Sequence, residues 1–249
     1  ELPAKPVVRF DRRRWYHLLA GEDEREGGAL LFFNLPRPLD IRSASREYPS
    51  PMTFLAAARR DRGAWIDIEK PFWWDVPVWL ASGQVDSIGL ANNHMCRSRM
   101  YESEAWGRPR DTGRLPAPRG NGFWTQELYY HVLDTGLRLP PSAGSASGVL
   151  PNPVGYNRVY VHLDRRLTWD RWWRGLKAGR CFVTNGPILR CRANRRLPGH
   201  VFRSQSGKPI EIGLEVSLSS IDPVPGIEIV KNGRVLRRVS LAALKPKNN

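Results

Sequence analysis

Cysteine is scarce in this chain: Cys96, Cys181 and Cys191 are its only three in 249 residues. They form no C-x-x-C pair, and an odd count without paired spacing argues against both a disulfide framework and a zinc knuckle. A Cys181–Cys191 bridge across a hairpin would need a geometry that spacing alone does not supply, so buried thiols are the expected state. Long apolar runs are missing too. No stretch approaches the roughly 20 residues that span a bilayer, so the chain reads as soluble, with no membrane partner. The opening ELPAKPVVRFDRRRWYH lacks both Met and the charged-then-apolar plan of a signal peptide. Any targeting segment is expected outside this sequence, and the compartment stays open, an extracytoplasmic one included.

Acidic residues are outnumbered. With 39 Lys and Arg against 24 Asp and Glu, the net charge is +15 and the pI about 10.4. The basic residues are scattered, the longest run being Arg12-Arg13-Arg14, and neither an RNP box nor a basic zipper occurs. Charge alone yields non-specific affinity. Nucleic acid is therefore not the expected partner, and a nucleic-acid binder stands only as the reading that charge by itself allows.

What is present alternates between strand and helix signals. WYHLLAG (15–21) and ALLFFNL (29–35) read as strands, and Ser50 caps a helix that has Pro51 at its first position. AWIDIE (64–69), a short helix over 75–82 and VDSIGLAN (85–92) follow. Residues 96–122, rich in Arg, Pro and Gly, read as a long functional loop. Trp124, Leu128, His131 and Val132 recur at helical spacing, with Gly136 as the cap. Strand signals at 137–145 and 157–163 precede a helix capped by Thr168 and the strand CFVTN at 181–185. This β-α-β-α rhythm predicts a mainly parallel sheet, open or closed into a barrel. After Pro198 the rhythm turns to alternating β, and Asn232-Gly233 marks a hairpin. The expected organisation is an α/β domain over 1–197 and a β-rich segment over 198–249 that begins a small sandwich.

In parallel α/β folds the chemistry sits at strand C-termini. Those ends carry Glu22, Asp23, Glu24 and Glu26; Glu69 and Lys70; Asn92, Asn93 and His94; Ser145 and Ser147; and Asn185. Carboxylate oxygen with imidazole nitrogen can hold a divalent ion, and the same rim can equally bind a sugar or phosphate. Each group also has a plain structural account. GEDERE can be a solvated acidic turn, Glu69-Lys70 an ion pair, His94 a core histidine bonded to a carbonyl, and the pairs Trp73-Trp74 and Trp172-Trp173 packing. Phe72-Trp73-Trp74 stands out because it follows a charged strand end directly.

The order GEDERE, AWIDIEKPFW, VDSIGLANNHM, PPSAGSASG and LKAGRCFVTNGP resembles the CehA/McbA-type metallohydrolases of the bacterial PHP (polymerase and histidinol phosphatase) superfamily. The likeness covers roughly residues 15–235, and its most specific piece is Gly179 to Pro187. It implies a distorted (βα)7 PHP-like barrel, a TIM-like barrel variant, that holds divalent metals at strand C-termini and hydrolyses phosphoester or carbamate-like bonds. The superfamily's opening Asp/His-x-His motif is absent, so the chain is expected to start inside the barrel. Lys70-Pro71 stands where the family has His-Pro, and Gly144-Ser145-Ala146-Ser147-Gly148 replaces Gly-Ser-Asp-x-His, which removes two ligands.

By this resemblance Glu22, Asp23, Glu69 and His94 would hold a divalent metal (Zn, Mn or Fe), with Asp23 and Lys70 as catalytic groups. Trp73, Trp74, Asn92, Asn93, Arg97 and Asn185 would bind a small anionic or polar substrate. The competing expectation is a non-catalytic small-molecule or sugar-binding module whose aromatic wall stacks the ligand. Oligomeric state is not legible.

Overall fold

In the computed structural model, residues 7–9, 11, 14–17, 21–205 and 207–242 are described. Of the expected strand at 15–21, residues 18–20 lie outside that set, as do the side chain of His17 and residues 12–13. The strands are β1 (Val7–Arg9), β2 (Trp15–His17), β3 (Gly21–Arg25), β4 (Gly28–Phe33), β5 (Trp65–Ile68), β6 (Ser87–Ala91) and β7 (Pro141–Ala143), followed by β8 (Arg158–Val161), β9 (Cys181–Thr184), β10 (Ile188–Ala193), β11 (Leu214–Ser219), β12 (Gly226–Lys231) and β13 (Arg234–Ser240). The helices are α1 (Pro51–Ala58), α2 (Val76–Ala81), α3 (Gly120–Asp134) and α4 (Trp169–Lys177).

The distorted (βα)7 barrel implied by the motif likeness does not form, and neither does a TIM-like barrel or PHP domain. The described strands make one five-stranded sheet, ordered β3-β4-β5-β6-β7, and four two-stranded sheets. Only β5–β6 and β6–β7 are parallel; β3–β4 and β4–β5 are antiparallel. The reason is the length of the connections. Glu26-Gly27 joins β3 to β4 in a two-residue hairpin, which can link only antiparallel neighbours. GEDERE, expected as a rim loop, is thus mostly an edge strand. The C-terminal segment does not form sandwich layers. Among its described residues β11 pairs antiparallel with β10 of the preceding segment, and β12 and β13 form a separate hairpin that turns at Asn232-Gly233 as its sequence dictates.

Local signals place the elements around the sheet. Ser50 Oγ accepts the Met52 amide at 3.3 Å to start α1, and Thr168 Oγ1 accepts the Arg171 amide at 3.3 Å to start α4. On one face of the sheet Leu30, Phe32, Ile66, Ile68 and Ile88 pack against Phe54 and Leu55 of α1, Val76 and Trp79 of α2, and Tyr129 and Val132 of α3. The other face is covered by α4 and β8–β9, where Trp65 and Phe33 meet Trp172, Trp173, Leu176 and Cys181. Two differently built layers therefore share β4 and β5. All three cysteines are free, and burial pushes the Cys181 thiol up to about 11.

The long Arg-rich segment, expected as a functional loop, is pinned from inside. Arg110, 7 % exposed, pairs with the buried Glu104 carboxylate and donates to the carbonyls of Glu102 and, at 2.7 Å, Leu115. Asn121 at the start of α3 adds a 2.9 Å bond to the Ser103 carbonyl and a 3.3 Å bond to Glu104. Removing one partner of such a pair strands a buried charge. Arg110→Ala is expected to destabilise the fold by about 3–5 kcal/mol in a urea melt, whereas Arg114→Ala, whose pair with Glu127 is solvent-exposed, should leave the urea midpoint nearly unchanged.

Candidate functional site

The side chains that converge do so because of strand alternation. Along β5, Ile66 and Ile68 enter the helix-covered core, which sends Trp65 and Asp67 to the opposite face. Glu69 continues that face. Register carries it across the sheet: Glu22 opposes Leu31, Leu31 opposes Asp67, and Asp67 opposes Ser87. Together with Trp65, Asn92, Asn93 and Ser142 these residues line a cavity of about 450 Å³ whose opposite wall is Trp172, Trp173 and Leu176 of α4. Gly89 makes the close approach possible, since a Cβ there would meet the Glu69 carbonyl oxygen at 1.8 Å.

Asp67 is 5 % exposed and bonded by a serine of the adjacent parallel strand, Ser87 in β6, and by Ser142 in β7, the strand beyond it. Ser87 Oγ donates to Asp67 Oδ1 while accepting the Trp65 indole N–H at 2.8 Å. Burial raises the Asp67 carboxyl to about 7, against the opposing pull of its bonds from Ser142 and Ser87. Glu22 is also raised, first by burial and then by Glu69 and Glu24, with Lys70 working the other way. Lys70, 2 % exposed, donates to Glu69 Oε1 at 2.5 Å and lies 4.7 Å from the Trp73 ring centroid. Asn93 Nδ2 reaches the same Glu69 oxygen at 3.0 Å. Glu69 Oε2 and Asn93 Oδ1 are buried acceptors without a protein partner.

Of the residues expected to bind metal or substrate, Glu22, Glu69, Asn92 and Asn93 do meet in this cavity. Asp23 does not. It follows Glu22 in the strand and so points to the helix face, where Arg25 grips it through Nε at 2.5 Å and Nη2 at 2.9 Å. His94 turns between the rings of Phe72 and Tyr101, at 5.6 and 5.4 Å, and is bonded to the Ser103 carbonyl. Burial, then Lys70, lower its pKa to about 4. The four residues expected to hold a divalent Zn, Mn or Fe ion therefore do not converge: Glu22 and Glu69 share the cavity, while Asp23 and His94 are engaged elsewhere. Among the described residues no three His, Cys, Asp or Glu side chains gather as a metal-holding group.

The aromatic wall is also relocated. Trp73 is buried in the core, stacked at 5.4 Å on Trp106 and edge-on to Phe72. Trp74 is half-exposed, its indole donating to the Trp106 carbonyl at 2.9 Å. Arg97 and Asn185 lie exposed, away from the cavity. The residues that sequence reasoning passed over are Trp65, Asp67, Ser87, Ser142, Trp172 and Trp173. Their signal was available: alternate positions in AWIDIE, and Trp169, Trp172, Trp173 and Leu176 at helical spacing.

No family model, curated protein or solved structure matches this chain. The likeness to CehA/McbA-type metallohydrolases rests on short motifs alone.

The sign of the Asp67 shift fixes a pH dependence. The folded carboxyl holds its proton to about pH 7, whereas an unfolded one releases it near 4, so Asp67 makes stability fall as pH rises between those values. Asp67→Asn should flatten the unfolding free energy across that window and stabilise the fold at pH 8 by on the order of 2 kcal/mol, measured by urea melts at pH 5 and 8.

Proposed function

We propose that this cavity binds a small polyhydroxylated ring, a sugar or a sugar-like compound. The observation that carries the reading is the pairing of an indole wall, Trp172 and Trp173 of α4, with a facing row of acceptors on the sheet that includes the unpartnered Glu69 Oε2 and Asn93 Oδ1. Aromatic faces pack the C–H side of such a ring, and carboxylate and amide oxygens accept from its hydroxyls. A cavity of about 450 Å³ suits one or two such rings. An anionic substrate is disfavoured by Glu22 and by Lys70 being already committed to Glu69.

A second reading has its own support: Asp67, its carboxyl raised to about 7 by burial, shares the cavity with the carboxyl groups of Glu22 and Glu69, and acid–base hydrolysis of a glycoside uses a protonated carboxyl together with a second one. Asp67 would then give its proton to the leaving oxygen as the glycosidic C–O bond breaks, while Glu22 or Glu69 takes a proton from the water that attacks the anomeric carbon. This route needs no metal group from the described residues, unlike the hydrolysis that the motif likeness implies.

Saturable quenching of tryptophan fluorescence is expected with at least one member of a panel of neutral mono- and disaccharides. Trp172→Ala and Glu69→Gln should each weaken that binding roughly tenfold, about 1.4 kcal/mol. The binding reading fails if no member saturates, or if both variants bind like the parent. Aryl glycoside turnover lost in Asp67→Asn, with binding kept, would put the acid–base reading first.

A further inference from the structure

A second concavity, of about 930 Å³, is centred on the α4–β9 turn and shares no lining residue with the cavity above. Its walls come from the end of α3, the start of β7, the α4–β9 turn and the loop after β10. Arg138, Lys177, Arg180, Arg192, Arg195 and Arg196 all line it, against a single carboxylate, Asp164. Asp164 pairs with Arg180 at 3.2 Å. The other five cations have no ion-pair partner among the described residues, so six cations share one carboxylate in this lining.

The gathering is built by the backbone. Gly179 and Gly199 both have positive φ, 68° and 81°, and a Cβ on Gly199 would meet the Ala178 carbonyl oxygen at 2.0 Å. Only glycine allows the loop after β10 to lie this close to the α4–β9 turn, and the contact brings the two basic segments face to face. Asn194 and Arg195 are both left-handed, at φ 45° and 64°, a conformation that bulky residues rarely adopt. Asn194 holds the turn by bonding the Glu211 carbonyl at 2.9 Å and the Gly213 amide at 2.7 Å. The Arg138 guanidinium closes the far side on the Gly199 carbonyl.

Concentrating like charges in a concavity focuses a positive potential, and an occupant with several negative charges relieves the repulsion. We propose that this cleft binds a small polyanion, a ligand carrying two or more phosphate or sulfate groups. Guanidinium forks match such oxygens in pairs. A nucleic-acid strand fits less well. It needs a track of cations interleaved with stacking rings, and the one phenyl-type ring in the lining, Tyr129, is only 8 % exposed.

Inorganic tripolyphosphate is the probe, titrated calorimetrically into the full chain at about 0.15 M salt, where diffuse surface charge is largely screened. One-to-one binding is expected. Arg195→Glu with Arg196→Glu, both exposed, should weaken it at least about tenfold, and the milder Arg195→Gln with Arg196→Gln should weaken it in the same direction if charge reversal disturbs the fold. Arg234→Glu with Arg237→Glu on β13 makes the same change in net charge outside the cleft and should leave affinity within about twofold. Equal weakening by the two reversal pairs, or no binding by the parent, overturns the proposal. So does tighter binding of a random single-stranded oligonucleotide that both reversal pairs weaken alike.

Discussion

A buried carboxyl at the centre of the sheet sets the terms for the rest of the molecule. Asp67 sits on β5 between an antiparallel neighbour and a parallel one, with almost no solvent contact. Burying an ionised carboxylate alone is prohibitively costly, so the group must keep its proton or find donors. It does both. The donors come from the parallel side: Ser87 lies opposite in β6, and Ser142 in β7 completes the set. Those hydroxyls reach Asp67 only if β5, β6 and β7 run in parallel with this register. A one-residue slip would turn each serine to the helix core and bring Ile88 to the carboxyl instead. The polar centre thus selects register as strictly as the apolar core on the opposite face.

That requirement extends to the loops beyond the strands. Parallel strands end on the same edge, and their exits at residues 92–97 and 144–147 would leave buried backbone groups unsatisfied. Two asparagines serve them. Asn157 Nδ2 lies 2.9–3.1 Å from the carbonyls of Asn92, Met95 and Gly144, while Asn152 Nδ2 reaches the Asn93 and Ser145 carbonyls at 3.2 and 2.9 Å. Amide side chains suit this work because they donate without bringing charge. Their placement holds Asn92 and Asn93 at the edge of the cavity, and hence the acceptor row that faces the indoles.

Much of the secondary structure was legible because its signals are local. Ser50-Pro51, Thr168 and Asn232-Gly233 act within four residues, and each marks its boundary in the structure. The topology was not legible for a non-local reason. GEDERE reads as an acidic turn because its charges dominate, yet Asp23 and Arg25 satisfy one another on the helix face, and the strand pairs with β4 through a hairpin two residues long. The likeness to a barrel family weighted the order of motifs over that connection. Half of the site was legible, in Glu22, Glu69, Asn92 and Asn93, since charge near a strand end is conspicuous. Asp67 was missed because one carboxylate inside an apolar strand looks like an interruption. Only the two-residue period shows it to be the middle of a polar face.

The helix α4 shows why the tryptophans were placed wrongly. Phe72, Trp73 and Trp74 drew attention by adjacency, but adjacent residues in a turn point in different directions, and two of the three enter the core. In α4 it is spacing that matters. Trp169, Trp172, Trp173 and Leu176 fall on one side, and Asp170, Arg171, Arg174 and Lys177 on the other. The indole side meets Trp65 and Phe33 at ring separations of 4.9 and 6.4 Å. These rings are too large to close down onto the short serine and aspartate side chains across from them. Packing large rings over small polar groups leaves space between the layers, and that mismatch in side-chain size is what makes the cavity.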